Sequence, residues 1–312
     1  MTTPQDLIQR DLKVTNVDKY HECGYKGKGL VVFNTEDGST DLDHMRMTNA
    51  VLGRLVPEAT IINGRIGAAT SNGIAQVYVI IGNEKTDLKE FVKKNGIKVM
   101  TTSKEGGTSE GTLNYLKEMQ QELGVICLCA AGNDGKMGVY IKNNTAIAVA
   151  AVYTYEDMSV KRLSYSTISD EVDFSAPVGG GQGTSAAAPF LAGMISLLLE
   201  RYGDFNHLEC VEILKSLCIN LGEKSSYGYG LPVLPLTDKL EIMKEGADKM
   251  SFTDVNKSDW FYDDVNFCVE NGLMQGDGDD TFEPQKPVTR AEEAAITRRI
   301  FEKIMQKIKG KI

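Results

Sequence analysis

Residues 185–203, SAAAPFLAGMISLLLERYG, are apolar on almost every face of the helix they imply. Leu191, Ile195 and Leu198 recur at helical spacing, and Met194, Leu197 and Leu199 widen the stripe nearly all round. Such a helix has to be enclosed on all sides, so the rest of the chain must supply layers that cover it. Pro189 falls near its first turn, where a missing N–H costs little. Five earlier runs are short, apolar and bounded by Gly, Asn or charge: LVVFN (30–34), QVYVIIG (76–82), GIKVMTT (96–102), VICLCAA (125–131) and TAIAVAAV (145–152). They have the pattern of parallel strands covered on both faces. Helical segments alternate with them. GTLNYLKEMQQELG repeats Leu113, Leu116, Met119 and Leu123 before the stop at Gly124, and DLDHMRMTNAVLGRL follows cap candidates Ser39, Thr40 and Asp41. A further helix is expected over HLECVEILKSLCINLG, then a closing loop and short strand over SSYGYGLPVLPL. The alternation predicts an α/β sandwich around a mainly parallel sheet, with its active site at the carboxyl ends of the strands. The charged stretch 235–250 breaks the pattern and sets a boundary between a domain at 1–240 and a helical module at 251–312.

The 312 residues are 42% hydrophobic and 25% charged, enough for a sizeable core, and their net charge of −9 leaves no basic stripe for nucleic acid. No run of about eighteen apolar residues predicts a membrane span. The opening MTTPQDLIQRDLKVTN has no apolar h-region, so no secretory signal is expected. None of the six cysteines forms a CxxC pair, and Cys127 and Cys129 point to one face of a strand. They read as buried core thiols in a reducing compartment. With only His21, His44 and His207 available, a histidine-rich metal site is not expected; no cofactor is expected either.

Two segments carry chemistry. In GGGQGTSAAAP (179–189), Ser185 follows a glycine-rich loop and opens the buried helix, where its hydroxyl can face substrate and its N–H can bind an oxyanion. Read alone, Ser185 is an ordinary N-cap. In AAGNDG (130–135), Asn133 follows a buried strand and can aim its amide at the charge of a tetrahedral intermediate. Read alone, it is a turn former.

Taken together, these segments resemble the subtilase family of serine peptidases. GTSAAAP is similar to the family's Gly-Thr-Ser-x-x-x-Pro motif and AAGNDG to its oxyanion-asparagine motif; the stretch from 148 to 181 and SSYGYGLPVL continue the similarity. The resemblance implies a subtilisin-like three-layer α/β sandwich, Ser185 as nucleophile and Asn133 as oxyanion donor. It places Glu36 at the triad acid, with Asp37 as the alternative, and His44 at the base. Met45, Arg46 and Met47 stand where the family has Gly, Thr and a second His, and Arg46 offers a preference for acidic substrates. Ser103, Lys104, Glu105 and Gly106 fall where the family pairs with an extended polypeptide substrate. Leu55 runs straight into Val56 without the family's calcium loop, so no tight calcium site is expected there. Residues 1–29 are too few for the usual inhibitory pro-domain, so classical autoprocessing is not expected.

Residues 251–312 resemble one S-layer homology unit through FTDV (252–255), Trp260, NGLM (271–274), GDGDDTFEP (276–284) and VTRAE (288–292). That family binds secondary cell-wall polysaccharide, in groups of three units. GDGDD itself reads as a turn, because it lacks the acidic twelfth position of a calcium-binding loop. The expected activity is a serine endopeptidase. A catalytically impaired scaffold is the alternative, favoured by the altered segments around Glu36 and His44. Localisation stays open: the missing h-region fits a cytoplasmic or phage-encoded enzyme, the tail a wall- or particle-associated one.

Overall fold

The computed structural model describes residues 3–36, 38–39, 41–71, 74–103, 110–135, 145–236, 252–256, 259–270, 273–276 and 281–309. They fall into two compact units, Met1–Glu241 and Ile242–Ile312. The first unit begins with α1 (Pro4–Val14), α2 (Val17–Glu22), β1 (Val31–Asn34), α3 (Leu42–Leu55) and β2 (Thr60–Asn63). It continues through β3 (Arg65–Ser71), β4 (Ile74–Ile81), β5 (Glu84–Asp87), α4 (Leu88–Asn95), β6 (Val99–Thr102), α5 (Glu110–Leu123) and β7 (Ile126–Ala130). Then come β8 (Ile147–Thr154), β9 (Val160–Arg162), β10 (Phe174–Pro177), α6 (Thr184–Tyr202) and α7 (His207–Leu217). It closes with β11 (Cys218–Ile219), α8 (Lys224–Tyr227) and β12 (Leu231–Pro232).

The main sheet runs β10-β8-β7-β6-β1-β2, all neighbours parallel, with β9 added antiparallel to β8. Strand order reverses between β1 and β6. In an open parallel sheet that reversal opens a crevice at the carboxyl ends. Glu36 follows β1 and Ser103 follows β6, so both stand at its rim. Successive strand residues point to opposite faces. Val32, Val99, Ile126, Leu128, Ile147 and Val149 pack with residues of α1, α3, α6 and α7. Phe33, Met100, Cys127, Cys129 and Ala148 pack with residues of α4 and α5. The result is three layers. Cys127 and Cys129 share one face as expected, and burial pushes the Cys127 thiol up to about 12, so it stays neutral. All six cysteines are free thiols, with Cys23 exposed.

Every residue of α6 from Thr184 to Leu199 is buried. Helix α3 approaches it closely because Gly193 has no side chain: a Cβ there would stand 2.6 Å from Leu55 Cβ. Asp41, rather than Ser39, caps α3, accepting from His44 N at 2.8 Å; Thr40 lies outside the described residues.

The run at 76–82 departs from expectation. It forms most of β4, the middle strand of a separate antiparallel sheet β3-β4-β5, not a strand of the parallel sheet. Only Gly82 and Asn83 join β4 to β5, which suits a hairpin and is far too short for a parallel crossover. Val77 and Val79 are buried while Gln76 is exposed and Tyr78 and Ile80 are half-buried, so one face alone is fully covered.

The second unit contains α9 (Tyr262–Glu270) and α10 (Arg290–Lys309). The Asp254 carboxylate accepts from Phe282 N at 2.8 Å and Glu283 N at 2.7 Å, and the Phe252 and Phe282 rings meet at 5.4 Å. Ahead of α10, Thr289 and Glu292 form a capping box, each accepting the other's backbone N–H. The expected turn over GDGDD falls mostly outside the described residues. No described helix is long and apolar enough to cross a membrane.

Candidate active site

Ser185 occupies the first turn of α6, 8% exposed. Gly183, at φ +72°, turns the loop into the helix, a backbone region that glycine enters without strain. Its N–H donates to Tyr165 Oη at 3.1 Å. Ser103 Oγ donates to Ser185 O at 2.9 Å, so the residue that follows β6 holds the Ser185 carbonyl. Lys104, Glu105 and Gly106 lie outside the described residues.

Asn133 reaches this turn from the end of β7. Its Oδ1 accepts from Thr184 N at 2.9 Å and from Thr184 Oγ1 at 3.2 Å. A backbone N–H can only donate, so Thr184 fixes which end of the amide is oxygen. The Nδ2 donors therefore point away from Thr184. Thr184 Oγ1 also accepts from Gly132 N at 3.1 Å, tying the strand end to the helix end a second time. A Cβ on Gly183 would stand 3.1 Å from Asn133 Oδ1, so a side chain there would crowd the amide.

Glu36 and His44 meet on the other side of the crevice. His44 Nδ1 lies 3.4 Å from Glu36 Oε2, and the Glu36 side chain is 1% exposed. Their elements are joined at Asn34, whose two Nδ2 hydrogens are shared among Thr48 Oγ1 at 2.8 Å and Asn49 Oδ1 at 2.9 Å on α3 and Asn63 Oδ1 at 3.2 Å on β2. With Nδ1 turned to Glu36, proton exchange with a nucleophile falls to Nε2. The helices that carry Ser185 and His44 are held together by the α3–α6 contact at Leu55 and Gly193. Asp37, the alternative acid, lies outside the described residues. Of the substituted family positions, Met47 packs by Gly181, Met45 by Gly38, and the exposed Arg46 pairs with Asp43 at 3.3 Å.

Thr184 and Tyr165 support the site but were not singled out from sequence. Thr184 stands inside the motif itself; Tyr165 gives no local signal, because its partner is eighteen residues away. Among the described residues, no group of three His, Cys, Asp or Glu side chains is placed to hold a metal ion.

A hydroxyl heading a buried helix, an amide held by Thr184 and a carboxylate–imidazole pair are residue types that an α/β serine hydrolase uses. The subtilase family profile matches residues 29–230, and the chain belongs to that family. The S-layer homology domain profile matches residues 251–294. Subtilisin NAT of Bacillus subtilis subsp. natto is 27% identical over 220 residues, covering 63% of this chain and 55% of that protein. Subtilisin of Bacillus pumilus is 26% identical over 220 residues, covering 63% of this chain and 76% of its own length. Fervidolysin from Fervidobacterium pennivorans, a keratinolytic enzyme related to subtilisin, shares the fold with a TM-score of 0.53 at 18% identity, over 73% of this chain and 46% of its own. The chain thus spans about half the length of subtilisin NAT and of fervidolysin.

Proposed function

We propose that this protein is a serine endopeptidase that cleaves polypeptides through an acyl-enzyme on Ser185, with residues 1–240 as its peptidase domain. His44 Nε2 takes the hydroxyl proton as Ser185 Oγ attacks the peptide carbonyl carbon. Asn133 Nδ2 and the Ser185 N–H receive the oxyanion, and His44 then gives the proton to the leaving amine. Water, activated by the same imidazole, releases the acyl group. Glu36 holds the tautomer of His44 and stabilises the imidazolium. The observation that carries this reading is the Asn133 amide, oriented by Thr184 beside the head of α6. A fluorophosphonate probe tests it. Wild-type protein should label at Ser185, labelling should vanish in Ser185→Ala, and it should fall sharply in His44→Ala. Undiminished labelling in His44→Ala would remove the assigned base, and no labelling of the wild type would leave only a peptide-binding scaffold.

Residues 251–312, read as a wall-binding module, are proposed to bind cell-wall polysaccharide. Support comes from the S-layer homology match and from Trp260, 85% exposed, whose flat ring suits stacking on sugar faces. The full chain should co-sediment with purified wall carrying its secondary polymer, and Trp260→Ala should reduce that binding at least several-fold. Equal sedimentation with polymer-stripped wall would count against a polysaccharide ligand.

A further inference from the structure

Helix α1 lies ahead of residues 29–230, which carry the family match, yet it is built into the support of the nucleophile. Asp11, on α1, is fully buried, and its Oδ2 accepts from Gly179 N at 3.0 Å. Gly179 O accepts from Arg54 Nη1 at 2.8 Å. Residue 179 is therefore gripped on both sides of its Cα, by α1 and by α3, the helix that carries His44. Gly180 follows at φ +80°, where a Cβ would stand 2.7 Å from Ile8 Cγ1, so α1 also packs flat against the loop. Gly181 N donates to Val178 O at 2.7 Å, and Gln182 and Gly183 then lead into Thr184 and Ser185.

We propose that Asp11 is a positioning residue for Ser185, fixing the glycine loop that sets where α6 begins. Three consecutive glycines have the widest backbone freedom of any tripeptide, so they hold one conformation only if neighbours impose it. The first of them is fixed by a side chain that burial makes costly: burial pushes the Asp11 carboxyl up to about 6, against the opposing pull of the Gly179 N–H. Displacement of a catalytic group by about 1 Å can cost 10²-fold in rate, so a slack loop is felt at Ser185. The inference rests on the proposed role of Ser185 and names a part of the chain, outside the family-matched region, that this role depends on.

The test compares full-length Asp11→Leu and Asp11→Asn. Asn keeps an oxygen that can accept from Gly179 N; Leu does not. Two readouts are taken: the rate constant of fluorophosphonate acylation, and hydrogen exchange of peptides spanning 178–184. Asp11→Leu should acylate about 10- to 100-fold more slowly and exchange faster at 178–184, with exchange in β6 and β7 unchanged. Asp11→Asn should stay within about threefold of wild type on both measures. If Asp11→Leu does not fold, Asp11→Ala serves in its place. Wild-type acylation and exchange in the Leu or Ala variant would overturn the proposal, as would an Asn variant as impaired as Leu. If the wild type does not acylate at all, the peptidase reading fails, and the exchange comparison alone still decides whether Asp11 fixes the loop.

Discussion

Ser185→Ala and His44→Ala are each expected to lower kcat by about 10⁶-fold, and the double variant should lose no more than either alone. That magnitude is the one known for subtilisin itself, carried over because the two residues are proposed to act as one unit. Without the hydroxyl there is no atom to acylate. Without the imidazole the hydroxyl keeps its proton and attacks poorly. Once either is gone, the other has nothing left to contribute, so the losses cannot add. What remains, about 10³-fold over water, comes from the oxyanion donors and substrate binding. In the proposed mechanism that remainder falls to Asn133, whose Oδ1 is held by Thr184. Steady-state turnover of a fluorogenic peptide mixture by the three variants measures it. Losses that multiply in the double variant would mean that Ser185 and His44 act independently, against the proposed proton transfer.

Much of this was readable from the chain because the signals were local. The unbroken apolar surface of 185–203 required enclosure, and α6 is enclosed through Leu199. Cys127 and Cys129, two residues apart, share a face because strand periodicity leaves no other choice. Where two local patterns coincide, the sequence misleads: a continuous apolar run serves a buried parallel strand and a half-covered hairpin strand equally, and β4 lies in the antiparallel sheet, not the parallel one. The supports of Ser185 were invisible for a different reason. Asp11 meets Gly179 across 168 residues and Arg54 meets it across 125, and neither periodicity nor spacing reports contacts of that range. Those contacts exist only once the sheet has brought α1, α3 and the glycine loop to one edge.

Glu36→Gln should lower kcat by about 10⁴-fold with little change in KM, the loss typical of a triad acid turned into its amide. Glu36 is buried, and its Oε2 faces His44 Nδ1 at 3.4 Å. An amide at that position presents N–H as readily as oxygen. Imidazole can answer it by accepting at Nδ1, which places the ring proton on Nε2 and leaves nothing there to receive the Ser185 proton. The imidazolium would also lose its counter-charge during the reaction. Binding of substrate involves neither effect, which is why KM should hold. Glu36→Asp separates reach from charge. The carboxylate survives but withdraws by one carbon–carbon bond, about 1.5 Å, and should cost less than the amide yet far more than nothing. Asp37→Asn completes the set and should leave kcat within about threefold, as expected for a carboxylate outside the proton path. Thermal melts of all three variants guard against misfolding. If Asp37→Asn took the 10⁴-fold loss and Glu36→Gln did not, the acid would be Asp37. The extra methylene of Glu36 would then have no part in orienting His44.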